Sequence, residues 1–186
     1  VNVIDFAAVL QKYGMPHYMK IDIEGCDMVC VNALKKFSAR PDYISIESDK
    51  TNFTNIKQEV ETFVGLGYDH FMAVEQSDIS FVQSPPNPAT EGEYVPHHFE
   101  VGSSGLFGLE LGGSWKPQDD VLRQYRLIHL GYYLLGDDGI MMKWNFPGAW
   151  MFRALVRRSL RLFTKATVPG WYDTHARHST VIDAAG

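Results

Sequence analysis

Apolar positions recur at helical spacing over residues 4–13 (IDFAAVLQKY), where Phe6, Val9, Leu10 and Tyr13 share one side. Asp5 stands where an N-cap belongs, and Gly14 and Pro16 stop the helix. Residues 17–23 (HYMKIDI) read as a short buried strand. Residues 26–37 read as the next helix, with Cys30, Leu34 and Phe37 on one side, broken at Arg40-Pro41. A second strand follows over 42–47 (DYISIE). Asn52 or Thr54 caps a helix through Val64, with Ile56, Val60, Phe63 and Val64 inward, and Gly65 and Gly67 end it. Residues 68–75 form a third strand. After the tight connection Gln76-Ser77-Asp78, a fourth over 79–83 is expected to close an antiparallel hairpin.

Helices alternating with strands imply an α/β fold with a mainly parallel sheet covered by helices. The closing hairpin gives that sheet an antiparallel edge, so residues 1–83 read as half of a doubly wound sheet. From Ser84 the pattern changes and predicts a separate C-terminal extension over 84–186. SPPNPATEGEYVP is a Pro-rich connector, and 102–115 is Gly-rich and irregular. Residues 118–135 are helical with Val121, Leu122, Tyr125, Ile128 and Leu135 on one side. Gly136 to Gly139 is a turn, and 149–166 is helical again. GWYDTHA (170–176) reads as a docked tail whose polar groups are satisfied by hydrogen bonds. The chain enters a helical pattern directly at Val1, without an initiator methionine, which leads us to expect a fragment or a missing natural start.

The 186 residues suit one ordinary domain, and 45% hydrophobic residues suffice for a core. A net charge of −5, from 17 basic and 22 acidic residues, argues against general nucleic-acid binding. Cys26 and Cys30 are too few for a disulfide framework or an all-cysteine zinc site, and they read as small buried apolar residues in a reducing, cytoplasmic setting. No apolar run is long enough to cross a membrane. The helix over 149–166 carries Arg153, Arg157, Arg158, Arg161 and Lys165 with no acidic residue, interleaved with Trp150, Phe152, Leu155, Leu160, Leu162 and Phe163. It is expected to bury its apolar side on the protein's own core, with an anionic membrane surface as the alternative.

The chemistry concentrates in KIDIEG, residues 20–25. Ligands of open parallel sheets bind beyond the carboxyl ends of the strands. Asp22 and Glu24 lie at that end of the first strand, on the same side if the strand continues so far, and Gly25 allows close backbone approach or a positive φ. Glu47 and Asp49 end the second strand, so four carboxylates are expected along one rim. Together they would raise one another's pKa or hold a cation; separately they would cap the following helices. Lys20 could pair with them. His17, His70, His97 and His98 are placed away from this edge, and Asp173, His175 and His178 form a possible metal or proton-relay motif near the tail.

KIDIEG, the preceding helix with Asp5, and the ISIE strand resemble the second half of the FkbM family of S-adenosylmethionine-dependent methyltransferases over residues 1 to about 83. The resemblance implies a Rossmann-like methyltransferase sheet, with KIDIEG on its fourth strand, ISIE on its fifth and the hairpin as its last two. It implies S-adenosylmethionine as cofactor, contacted by Asp22 and Gly25, and Asp22, Glu24 and Glu47 as catalytic carboxylates, in that order. The acceptor would be a small molecule or glycan bearing a hydroxyl. The family's Gly-rich cofactor turn belongs to earlier strands, so little or no activity is expected from residues 1–186 alone. Gly102 to Gly108 cannot stand in, because it opens no helix. Two other readings are a metal-dependent nucleotide-sugar glycosyltransferase using Asp22 and Glu24, and a non-catalytic partner-binding module.

Overall fold

The computed structural model describes residues 4–49, 51–77, 79, 84–164 and 170–181. Its elements are α1 (Phe6–Tyr13), β1 (Tyr18–Ile21), α2 (Asp27–Ala33), β2 (Tyr43–Glu47), α3 (Phe53–Gly65), β3 (Tyr68–Glu75), α4 (Gln118–Leu135), α5 (Ala149–Thr164) and β4 (Tyr172–His178). Short 3-10 turns follow α2 and precede α4 and α5. The caps form as the sequence implies. The Asp5 carboxylate accepts from the Ala7 amide at 2.9 Å, and Asn52 Oδ1 accepts from Thr54 and Asn55 at 3.0 and 3.3 Å.

The sheet runs β1-β2-β4-β3. β1 and β2 are parallel, and β4 lies antiparallel between β2 and β3. This corrects the expected hairpin: the strand beside β3 comes from 172–178, the segment read as a docked tail. The 79–83 strand falls outside the described residues except for Ile79, which is buried and helical. Residues on both sides of the 83/84 division therefore share one sheet.

One sheet face carries Met19, Ile21, Ile44, Ile46, Phe71 and Ala176, which pack into the main core with α2, α3 and α4. Ile56, Val60 and Phe63 from α3 and Val121, Tyr125 and Ile128 from α4 are fully buried there, whereas Val64 is 41% exposed. Cys30 is half-buried against this core, but Cys26 is exposed, contrary to expectation.

The other face mixes polar residues with the buried Met72 and Val74, which pack on Leu111. Strand alternation brings Tyr18, Lys20, Ser45, Asp173, His175 and Arg177 to it. The Gly-rich segment 102–115 covers it. Phe107 stacks on Tyr18 with ring centroids 4.1 Å apart, and the Arg177 guanidinium lies 5.6 Å over the Trp115 ring. Gly108 makes this cover possible: at φ 61° a Cβ there would stand 2.4 Å from Glu91 Oε2 and 3.2 Å from the Tyr43 ring.

α5 also departs from expectation. Among its described side chains Ala149, Arg153, Val156, Ser159 and Leu160 turn inward, with Val156 and Leu160 meeting Leu135 and Met141. Trp150, Met151, Phe152, Leu155 and Leu162 are each more than half exposed. The neighbouring core is one α4 flank, too narrow to cover a helix that is apolar on more than one side.

Candidate functional site

The site grows from the end of β1. The strand stops at Ile21, and Glu24 (φ 51°) and Gly25 (φ 81°) both adopt left-handed backbone. Asp27, almost buried, reaches back and accepts the Ile23 amide at 2.8 Å, closing the turn. The pleat is therefore lost before Glu24, and Asp22 and Glu24 do not share a strand face as expected. Glu24 is exposed and makes no hydrogen bond or ion pair among the described residues. A Cβ at Gly25 would meet nothing within 4 Å, so its backbone is open to approach.

Asp22 faces a different group. Lys20 Nζ lies 3.8 Å from Asp22 Oδ2 and 2.5 Å from Asp173 Oδ2. Asp173 pairs in register with Glu47 and is fully buried. The Gln76 amide, one residue past β3, donates to the same Asp173 oxygen at 2.9 Å. Because β4 runs antiparallel, its first residues lie at the carboxyl ends of β1, β2 and β3. Asp22 and Asp173 thus flank the Lys20 ammonium, and Glu47 and Gln76 stand beside Asp173 at the same edge of the sheet.

Burial pushes the Asp173 carboxyl up to about 6 against the opposing pull of Lys20, and the charges of Asp22 and Glu47 push it the same way. Asp173 Oδ1, Gln76 Oε1, Trp171 Nε1 and His175 Nε2 are buried without a hydrogen-bond partner among the described residues. Unpaired buried polar atoms cost about 1–3 kcal/mol each. The first three lie at this edge and suit a polar ligand that would satisfy some of them, whereas His175 lies mid-strand opposite Ser45. His175 is held neutral by burial, with Lys20 adding to the effect, and its pKa falls to about 3.

Asp49 belongs elsewhere. It accepts from the Thr51 hydroxyl at 2.6 Å and the Asn55 amide at 2.8 Å, and these bonds outweigh burial and lower its pKa. The expected rim of four carboxylates is thus replaced by Asp22 and Glu47 with Asp173. Among the described residues no three His, Cys, Asp or Glu side chains are grouped to hold a metal ion. His17 pairs with Asp42 and His70 with Asp69, each at 2.8 Å and away from the edge.

A cleft of about 420 Å³ opens between α2 and α3, lined by Gly25, Asp27, Glu47, Asp49, Gln58 and Glu59 among others. Sequence reasoning missed Glu59, which lies on the inner side of α3 among apolar residues. Ser48 donates to it at 3.1 Å, and Tyr125 and Thr174 hydroxyls complete the network. It also missed Gln76 and Asp173 as one unit. The alternation Asp173, His175, Arg177 against Thr174 and Ala176 was the available signal, since it has the period of a strand.

No family model matches this chain, no curated protein matches it, and no solved structure matches it. The α/β architecture and its mixed sheet therefore stand on their own geometry.

Proposed function

We propose that this edge is the acceptor side of an S-adenosylmethionine-dependent methyltransferase that modifies a hydroxyl of a small metabolite or sugar. The observation that carries the reading is the Lys20–Asp22–Asp173–Gln76 group, built on KIDIEG at the carboxyl edge of the sheet.

The residues present fit the reactive end of the cofactor rather than its nucleoside. Gly25 offers open backbone and Asp22 a carboxylate, while the glycines at 102–108 lie over the mixed face of the sheet and open no α-helix. When bound, the cofactor supplies an electrophilic methyl group on a sulfonium. The chain's own part is to align the acceptor oxygen and take its proton. Asp22, 38% exposed at its side chain, accepts that proton. Lys20 and the buried Asp173 fix its position, and Glu47 and Gln76 orient the acceptor's remaining hydroxyls. Glu24 has no role in this arrangement.

The test is an NMR titration of this chain with S-adenosylhomocysteine, followed by methyl transfer to a panel of hydroxyl acceptors by a longer chain in which a Gly-rich cofactor turn precedes residues 1–186. Shifts at Gly25 and the Lys20–Asp22 amides are expected. Asp22→Asn is expected to lower transfer by about a hundredfold to ten-thousandfold while leaving the fold intact. Undiminished transfer would remove Asp22 from the site. Manganese-dependent shifts with a nucleotide sugar, and none with S-adenosylhomocysteine, would assign the edge to glycosyl transfer.

A further inference from the structure

The apolar surface of this protein is unevenly distributed. Of the 21 large hydrophobic residues that are exposed among the described residues, nine fall within residues 140–162. Along α5 they form ordered stripes. Met151, Leu155, Arg158 and Leu162 follow the four-three-four spacing of one helix side, and Trp150, Arg157 and Arg161 form the adjacent stripe. All of these side chains are exposed. Arg153 is different: it turns inward and donates to the Met141, Met142 and Trp144 carbonyls at 2.9, 3.4 and 2.5 Å, tying α5 to the turn before it.

Charge identifies what would cover this face. Between Asp138 and Asp173 there are six Lys and Arg and no Asp or Glu. With a net charge of −5, that +6 leaves −11 for the rest of the chain. Arg157, Arg158 and Arg161 make no salt bridge among the described residues. A second copy packed face to face on α5 would bring these arginines together. A negatively charged lipid surface would attract them and would repel the acidic remainder, which fixes the orientation.

We propose that α5 is a membrane-surface helix that docks this protein on anionic lipid, lying in the interface with Met151, Leu155 and Leu162 inserted and the arginines snorkelling to the headgroups. At about 1.5 Å per residue, its 16 residues present a face about 24 Å long. Among the described residues no helix is long and apolar enough to span the bilayer, so the helix lies on the membrane rather than crossing it. The inference stands independently of methyl transfer.

The test is flotation of the full chain with vesicles of phosphatidylcholine alone and of equimolar phosphatidylcholine and phosphatidylglycerol. Binding to the anionic vesicles only is expected. The triple variant Arg157→Gln, Arg158→Gln, Arg161→Gln should bind them less tightly by about fivefold per arginine, on the order of a hundredfold in all. Raised salt should release the unmodified protein, which keeps the test independent of how the variant folds. Equal binding to neutral vesicles would overturn the proposal. So would a failure to bind either vesicle, with or without a concentration-dependent dimer that α5 substitutions dissociate.

Discussion

At the scale of single residues, Glu59 sets the clearest solution behaviour. It is 6% exposed, and burial pushes its carboxyl up to about 8 although the Thr174 and Ser48 hydroxyls pull it down. Its ordinary value is 4.5, so between those two values the folded state holds a proton that the unfolded chain has lost. Stability must then fall as pH rises through that window, by up to about 1.4 kcal/mol per unit. Asp173 acts in the same direction between 3.8 and about 6. His175 opposes both: it stays neutral when folded down to about 3, while the unfolded chain protonates below 6.5, so its contribution rises with pH up to that point. From pH 6.5 to about 8 the Glu59 slope remains without that opposition. We predict that the urea midpoint falls across this interval and that Glu59→Gln, which keeps an oxygen for Ser48, flattens the profile. Equal slopes in the two proteins would mean that Glu59 is ionised in the fold.

At the scale of elements, β4 decides the architecture. Its backbone pairs with β2 on one side and β3 on the other, and Tyr172 and Ala176 enter the main core. Deleting residues 171–186 would leave both neighbouring strands with an unpaired edge and Asp22 without the Lys20–Asp173 support. The expected result is loss of cooperative thermal unfolding by circular dichroism; an unchanged transition would show that the sheet does not depend on β4. The sequence could not place this strand, though it placed α1, α3 and α4. Those helices announce themselves locally, through Asp5 and Asn52 caps and a 3.6-residue apolar period. YDTHARH has the alternation of a strand, but its charged residues suggest surface until Lys20, Gln76 and Trp115 are seen beside them. The site divides in the same way. Asp22 was legible because it ends an apolar strand before a glycine. Asp173 and Gln76 were not, because only the sheet register brings segments so distant in the chain to one edge.

At the scale of the whole molecule, the sheet closes through a very long connection. Ser45 pairs with His175, so the central ladder forms only after 130 residues of chain have been brought round. Such non-local pairing is slow to form, yet once formed it is surrounded by structure on every side. β4 has ladder partners along both edges, α3 and α4 beneath it, and the 102–115 segment above. β1, by contrast, pairs only with β2 among the described residues. Amide exchange in the most enclosed strands reports global unfolding, whereas exposed edges and loops open locally. We therefore predict that native-state hydrogen exchange is slowest at β2 and β4, faster at the outward amides of β1, and fastest in the Pro-rich connector at 84–96. Strong protection at 173–177 would arise only if these residues are the middle of the sheet. Exchange at 173–177 as fast as in the connector, with β2 still protected, would mean that β2 is held without β4, and the Lys20–Asp173 pair would then lose the burial that sets its chemistry.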